Sequence, residues 1–134
     1  MKIGNGFGPI DIAVSGLRAQ NKQLEIVSSN IANARTTDAG KGEPYRRLEA
    51  IFRTDSDDIG GVEISKIAKD MSDFTRVLDP GNPSADENGY VQMPNVSIPV
   101  EMMSLTMAAR TYQANAAVLR RYQQMVDTTL ELLK

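Results

Sequence analysis

Residues 105–133, LTMAARTYQANAAVLRRYQQMVDTTLELL, decide the fold of this 134-residue chain. Apolar or small residues recur along this stretch in alternating steps of four and three, the heptad spacing of a helix that packs on another helix. Ahead of it, Ser97 suits a helix N-cap, Pro99 suits the first turn, and Glu101 favours the positive end of the helix dipole. The sequence therefore predicts a long helix over residues 99–134. Its pairing line consists of Leu105, Ala109, Tyr112, Ala116, Leu119, Gln123, Val126, Leu130 and Leu133.

A second heptad line predicts another helix, from Ile10 to Ala34, in which Gly16 is a local weak point. This pairing line consists of Ile10, Ala13, Leu17, Gln20, Leu24, Val27, Ile31 and Ala34. The two lines match in antiparallel order when Ile10 faces Leu133, Ile31 faces Tyr112, and Gln20 faces Gln123. A buried polar pair is one way to fix the register of a coiled coil. Alternatively, both glutamines lie at a solvated edge.

The segment between the helices has a different pattern. Strands are predicted around 48–52, at Val62 and Ile64, and from Phe74 to Leu78, with turns at 79–83 and 86–89. Two or three short strands cannot build a core by themselves. The predicted fold is therefore mainly α, with the terminal helices paired antiparallel as a coiled-coil-like hairpin and a small β-rich or irregular insert. Residues 1–34 and 99–134 form one core unit in this prediction, and residues 35–98 form the insert.

Each helix also carries a second line of apolar or small residues, which a two-helix hairpin cannot bury. These lines consist of Ile12, Ala19 and Ile26 in the first helix, and of Ala114, Val118, Met125 and Leu132 in the last. They either pack on the insert or contact neighbouring subunits, and the polar character of the insert favours subunits. Asn30 and Asn33 either cap the first helix or take part in such contacts. Asn115 is either exposed or paired across subunits.

Charge and composition exclude several classes of function. The net charge is −2, with −4 in residues 35–98 and +1 in each terminal segment, so the basic face that nucleic-acid binding needs is not expected. The chain has no Cys and no His, which removes thiol and imidazole chemistry and the usual zinc ligands. Since no run approaches about 20 apolar residues, no transmembrane helix is expected. Asp11 and several glycines interrupt the start, so a cleavable secretory signal is not expected either.

Two segments resemble ligand sites only superficially. The acidic run Asp55–Asp58 lacks the ligand spacing of an EF-hand loop, and we interpret it as a solvated loop. Gly4–Gly8 is rich in glycine, but no strand precedes it and no Lys-Ser/Thr pair follows it, so it does not predict a phosphate site. We therefore predict no catalytic, cofactor or metal site, and no enzymatic activity.

The chain resembles the axial proteins of the bacterial flagellum. The run Ser15–Gln20 and the run Ser29–Thr37, SNIANARTT, are similar to the N-terminal signature of flagellar rod and hook proteins. Residues 42–47 (GEPYRR), 79–86 (DPGNPSAD) and 89–96 (GYVQMPNV) resemble the rod protein C branch of that family. Glu101-Met102 and the run Ala109–Asn115 complete a resemblance that spans nearly the whole chain.

The resemblance implies a structural subunit of the proximal rod of the basal body, which transmits torque from the motor ring to the distal rod. It implies helical ends that pack in the inner layer of a tube and an insert that faces outward. Expected partners are copies of itself, other rod proteins, the basal adaptor protein, the membrane-ring protein and the flagellar type III export apparatus. Neither nucleic acid nor direct membrane insertion is expected. The alternative is a helical-hairpin adaptor or export-associated binding protein that does not polymerise.

Overall fold

The structure, a computed structural model, describes residues 8–54 and 60–134. The chain has a mainly helical fold with a small insert of strands. Its elements, in chain order, are α1 (Pro9–Ala32), β1 (Leu48–Thr54), β2 (Val62–Lys69), β3 (Thr75–Leu78), β4 (Tyr90–Met93) and α2 (Ile98–Leu132). The acidic run Asp55–Asp58 and residues 4–7 of the glycine-rich start lie outside the described residues.

Helix α1 begins and ends at residues suited to those positions. Pro9 stands at its first position, and the Gly8 amide donates to Oδ2 of Asp11 over 3.2 Å. At the other end, the carbonyl oxygen of Ser29 accepts from the Asn33 amide at 3.0 Å and from the Asn33 side chain at 2.9 Å. The helix therefore ends two residues before Ala34, where the sequence predicted its end.

Helix α2 starts as predicted and is much longer than α1. Ser97 occupies the N-cap position, but its side chain makes no capping hydrogen bond; its carbonyl oxygen accepts from the Glu101 amide at 2.9 Å. With 35 residues, α2 is about 52 Å long, against about 36 Å for the 24 residues of α1. Neither helix is long and apolar enough, among the described residues, to cross a membrane.

The insert consists of two antiparallel hairpins. β1 pairs with β2, with an irregularity between Ile51 and Phe52, and β3 pairs with β4. The three predicted strands are confirmed, and β4 adds a fourth directly after the predicted turn. Gly89 closes that turn with a φ of 78°, in the left-handed region that glycine adopts without strain.

The two helices lie side by side and antiparallel, but in a register that differs from the predicted one. Nδ2 of Asn30 donates to Oε2 of Glu101 over 3.0 Å, and Gly16 lies against the amide of Asn115. The predicted register would place Gly16 opposite Asp127, about 12 residues or 18 Å further along α2. The predicted pairing of Gln20 with Gln123 is therefore wrong.

The buried face of α1 coincides only in part with the predicted pairing line. Small and branched residues fill it: Ala13, Gly16, Ala19, Ile26 and Val27, together with Asn30. Of the predicted line, Ala13, Val27 and Ala34 are buried, whereas Ile10 is exposed and Leu17, Leu24 and Ile31 are only half-buried at the edge. Small side chains let α1 approach α2 closely while the β1–β2 hairpin packs on the same helix. Of the two alternatives for Ala19 and Ile26, the favoured one, contact with neighbouring subunits, is therefore wrong, because both residues are buried within the chain, where the insert packs on α1.

The last third of α2 lacks the predicted partner. Gln123, Val126, Leu130 and Leu133 are exposed, although the sequence paired them with the start of α1. In the observed register, the described part of α1 begins opposite about residue 122, so the later turns of α2 pass beyond it. The predicted intramolecular pairing of these four residues is wrong.

Candidate functional site

A fully buried asparagine connects α1 to the insert and to α2. The side-chain oxygen of Asn30 accepts from the Leu48 amide at 2.9 Å and from the Tyr45 hydroxyl at 3.0 Å. Its Nδ2 donates to the Leu48 carbonyl at 2.9 Å and to Glu101 at 3.0 Å. The Asn30 side chain thus bonds to both backbone groups of Leu48, as a neighbouring strand would. All four hydrogen-bonding positions of the side chain are used.

Glu101 is the second fully buried polar residue, and its charge is paired. Its Oε1 accepts from Nε of Arg47, and its Oε2 accepts from Asn30. Arg47 also contacts Glu49, and its Nη1 lies 3.7 Å from Oδ2 of Asp70. Burial disfavours the charged guanidinium, but the hydrogen bond and charge of Glu101, with those of Glu49, outweigh it and raise the pKa of Arg47.

Asn95 extends this network to the segment that precedes α2. Its oxygen accepts from the Arg47 amide at 2.9 Å, and its Nδ2 donates to the Asp70 carbonyl at 2.9 Å and to Oγ of Ser72 at 3.0 Å. The Ser72 amide lowers the pKa of Asp70, followed by the Ser72 hydroxyl and by the nearby arginines. We call Asn30, Tyr45, Arg47, Asn95 and Glu101 the polar centre. It joins α1, β1, the β2–β3 connection and α2 at one point.

The β3–β4 hairpin has its own polar anchor. Oδ1 of Asp86 accepts from the amides of Asn88 and Tyr90, both at 2.9 Å, and Oδ2 accepts from Nη2 of Arg76 at 2.6 Å. The Tyr90 amide is the main cause that lowers the pKa of Asp86, and the guanidinium of Arg76 lies 5.0 Å from the Tyr90 ring centroid. The turn residues that the sequence predicted within 79–89 therefore close the β3–β4 hairpin.

Helix α2 presents a long exposed line of apolar and small side chains. We call these residues the α2 stripe: Met103, Met107, Ala114, Val118, Met125 and Leu132. Their exposure is high for apolar groups, at 68% for Met103 and 81% for Leu132. A stripe of this kind is typical of a helix that binds a further partner.

The described residues offer little that is typical of a catalytic or metal site. No cluster of three or more Asp, Glu, His or Cys side chains able to hold a metal ion occurs in the described ranges. The fully buried side chains of Asn30 and Glu101 are paired with each other, and Glu101 is also paired with Arg47. This arrangement positions elements of the fold, and the α2 stripe remains exposed.

Comparison with known proteins identifies the family. Residues 10–39 match the family described as flagella basal body rod protein, and residues 87–132 match the family described as flagellar basal body rod FlgEFG protein C-terminal. The chain is 46% identical over 127 residues to flagellar basal-body rod protein FlgC of Agrobacterium fabrum, an alignment that covers 92% of this chain and 91% of the relative. The chain belongs to the flagellar basal-body rod protein C family. It is also 42% identical to FlgC of Salmonella typhimurium over 91% of this chain and 93% of the relative. Its identity to FlgC of Bacillus subtilis is 36%, over 96% of this chain and 98% of the relative.

The two matched segments of this rod protein C family member contain the two fully buried polar residues. Asn30 lies in the N-terminal match and Glu101 in the C-terminal match, while Arg47 lies between the matches. The hydrogen bond between Asn30 and Glu101 therefore joins the two matched segments across the insert.

The sequence-predicted interface residues have different positions in the folded chain. Asn30 is buried, so neither capping nor a subunit contact describes it, whereas Asn33 caps α1 and accepts from the Thr36 hydroxyl at 3.2 Å. Asn115 is half-buried and contacts Gly16 of its own chain. Neither predicted alternative, exposure or a partner in another subunit, describes it. Ile12 is half-buried. Ala114, Val118, Met125 and Leu132 are exposed, as an interface requires.

Sequence reasoning missed the role of the polar centre. Glu101 was predicted only to favour the helix N-terminus, and Tyr45, Arg47 and Asn95 appeared only as part of the family resemblance. The available signal was the concentration of hydrogen-bonding residues in 44–47 and at Asn95, between strands too short to form a core.

Proposed function

We propose that this chain is a non-enzymatic structural subunit of the rod of the bacterial flagellar basal body, which polymerises through its terminal helices. The observation that carries the proposal is the exposed apolar face of α2, which continues past the described start of α1, in a chain of the rod protein C family. Soluble monomers rarely expose so long an apolar stripe, whereas a polymer buries it.

The finer part of the proposal concerns position and neighbours. The subunit lies in the proximal, periplasm-spanning part of the rod and transmits torque from the membrane ring to the distal rod. Residues 1–34 and 99–134 pack in the inner layer, and residues 35–98 face outward. Its neighbours are copies of itself, other rod proteins, the basal adaptor protein and the ring protein, and it is exported by the flagellar type III apparatus. Long helices support this role because they are stiff along their axis.

The experiment replaces the chromosomal copy with single variants and measures swimming and the composition of purified basal bodies. Met125→Glu places a charge on the α2 stripe, while Gln124→Glu adds the same charge one residue away on the exposed polar face. Burial of an unpaired carboxylate is unfavourable. We therefore expect Met125→Glu to reduce the content of this chain in basal bodies by about tenfold or more, the effect of roughly 1.4 kcal/mol. Gln124→Glu should swim normally.

High-resolution imaging of wild-type basal bodies then tests the place of the chain. Density for this chain in the proximal rod supports the proposal. Intact rods that lack the chain would overturn it in favour of the non-polymerising adaptor. Normal rods built from the Met125→Glu variant would show that the α2 stripe is not an assembly contact.

A further inference from the structure

The α2 stripe starts about three turns before the interface that the sequence predicted, at Met103 instead of Ala114. Met103 and Met107 lie on the same side of α2 as Val118 and Met125, and both are more than two-thirds exposed. At 100° per residue, the six residues of the stripe fall within a sector of about 60° and extend over about 44 Å. Arg121 falls in the same sector, and the other exposed side chains there are apolar or small. A straight surface of this length and character fits another helix.

A groove with an unused hydrogen-bond acceptor borders this stripe. It encloses about 250 Å³ and is lined by Gln20, Gln23, Phe52, Met107, Ala108 and Thr111, with Ser104 at its side. Oε1 of Gln23 is buried, and among the residues that the structure describes nothing donates a hydrogen bond to it. Buried amide oxygens are nearly always paired, so the groove favours an occupant that carries an N–H or O–H donor.

The partly exposed edge of α1 forms a second apolar line, on the opposite flank of the helix pair. We call Ile10, Leu17, Leu24 and Ile31 the α1 line. The β1–β2 hairpin packs on α1 beside Ser15 and Lys22, which lie close to half a turn around the helix from the α1 line. Met107, in contrast, lies beside Phe52 of that hairpin. The α1 line therefore lies on the side of the helix pair away from the β1–β2 hairpin. The α2 stripe lies on the same side as that hairpin.

Two apolar lines on opposite flanks permit a repeating contact. Both lines contain residues spaced seven apart, which is the spacing of helix–helix seams. Asn21 and Ser28, exposed beside the α1 line, supply the amide and hydroxyl donors that Gln23 lacks. A contact between different surfaces of identical chains continues from copy to copy and builds a ring or an open helical assembly.

We propose that a second copy of this chain seats its α1 line on the α2 stripe, with Asn21 or Ser28 donating to Oε1 of Gln23. The inference rests on the proposed function and names the two surfaces through which copies meet.

Disulfide cross-linking in basal bodies tests it without background, since the chain has no cysteine. Three double variants combine Leu24→Cys with Ala114→Cys, Val118→Cys or Met125→Cys, which sample different axial offsets. Within one chain, Leu24 and the stripe lie on opposite flanks, whereas a disulfide requires Cα atoms within about 7 Å. We expect disulfide-linked multimers of this chain from at least one variant. Leu24→Cys with Gln113→Cys, on the polar side of α2, should give none.

The incorporation of each variant is measured first, so that two kinds of failure are separated. Incorporated stripe variants that give no multimers overturn this inference and leave the proposed function standing. Absence of the unsubstituted chain from basal bodies overturns the proposed function itself. If none of the stripe variants is incorporated, oxidation of the native methionines in the unsubstituted chain tests the inference instead.

Hydrogen peroxide oxidation of the unsubstituted chain measures burial at its own methionines. Met103, Met107 and Met125 lie on the α2 stripe, Met102 lies on the other side of the helix, and Met71 lies in the insert. Thioether oxidation follows exposure, so we expect the three stripe residues to oxidise about tenfold more slowly in basal bodies than in the free chain. Met102 should change less. Equal protection of Met102, or protection of Met71 alone, would overturn the inference.

Gln23→Leu tests the donor contact separately. A purely structural role predicts a less stable chain, but this change removes a buried acceptor without a donor, so the thermal midpoint of the free chain should stay the same or rise. Its incorporation into basal bodies should nevertheless fall about tenfold, because the neighbour's donor would be buried without an acceptor. Gln113→Leu is the matched control. Wild-type incorporation of Gln23→Leu would show that no neighbour donates to Gln23.

Discussion

Gly16 lacks a side chain at the point where the amide of Asn115 occupies the space of a Cβ atom. A Cβ placed on Gly16 would lie 2.7 Å from Nδ2 of Asn115, closer than such atoms pack. Sequence reasoning treated this glycine as a weak point of α1. The structure instead shows that its small size lets the two helices meet at this level, so the cost of glycine in a helix is compensated by packing.

The effect of Gly16→Ala should depend on residue 115. In the native chain we expect it to lower the free energy of unfolding by about 1 kcal/mol, because the clash outweighs the gain in helix propensity. In an Asn115→Ala background the same change should raise the free energy of unfolding by up to about 1 kcal/mol, since only the propensity gain remains. Urea denaturation of the four proteins measures this coupling. The same sign in both backgrounds would contradict it.

Glu101→Gln should be among the more destabilising single changes that keep the size of the side chain. It removes the buried carboxylate that pairs with Arg47 and leaves the guanidinium with two more exposed carboxylates, those of Glu49 and Asp70. Breaking a buried pair costs about 3–5 kcal/mol, and because Arg47 keeps partial solvent exposure we expect roughly 2–3 kcal/mol. Glu131→Gln, at an exposed position of the same helix, should change stability by less than about 0.5 kcal/mol. Chemical denaturation compares them, and equal effects would show that the polar centre contributes little.

At the scale of elements, the insert depends on carboxylates that cap its turns, while the helices depend mainly on packing. The pKa of Asp86 is lowered first by the Tyr90 amide, that of Asp70 by the Ser72 amide, and that of Asp38 by the Gly40 amide. A carboxylate with a lowered pKa in the folded state stabilises that state above its ordinary pKa of 3.8. This stabilisation is lost as the pH falls from 3.8 through the lowered value.

The β3–β4 hairpin should therefore loosen in acid before the helices do. Between pH 6 and about pH 3 we expect the amides of Tyr90 and Asn88 to lose protection from hydrogen exchange, while those of α2 near Ala108 keep theirs. Asp86→Asn is the matched control, because its side-chain oxygen still accepts hydrogen bonds but does not titrate in this range. A hairpin whose acid response is unchanged in Asp86→Asn would rule out Asp86 as its cause.

The elements themselves were predictable from sequence, but the way in which the helices pair was not. Periodicity identifies α1 and α2 because it is a local property of each segment, and turn residues locate the hairpins. The register depends on contacts between distant residues, above all the hydrogen bond from Asn30 to Glu101, 71 positions apart. An apolar heptad line is compatible with several registers. The two helices approach each other most closely at small residues such as Gly16, and a search for large apolar residues does not find these.

At the scale of the whole molecule, the unequal lengths of the helices separate a packed half from an exposed one. The polar centre lies at the start of α2, and the β1–β2 hairpin reaches the first half of α2 through Phe52, where Glu101 and Ala108 are buried. Beyond about residue 122 no described residue of α1 lies beside α2, and Leu130, Leu132 and Leu133 are more than half exposed. The part of the chain available to bind neighbours is therefore also the part with the least support from its own fold.

This difference predicts how the free chain behaves before assembly. An isolated helical segment of about ten residues is marginally stable in water, so the amides of 123–132 should exchange at least about 100-fold faster than those near Ala108. In purified basal bodies the same amides should become protected, because neighbouring helices cover the apolar side chains. Hydrogen exchange with mass spectrometry on both samples measures the change, and Gln124→Glu is a control that alters charge on the uncovered side. Full protection of residues 123–132 in the dilute free chain would mean that assembly does not order this end of α2.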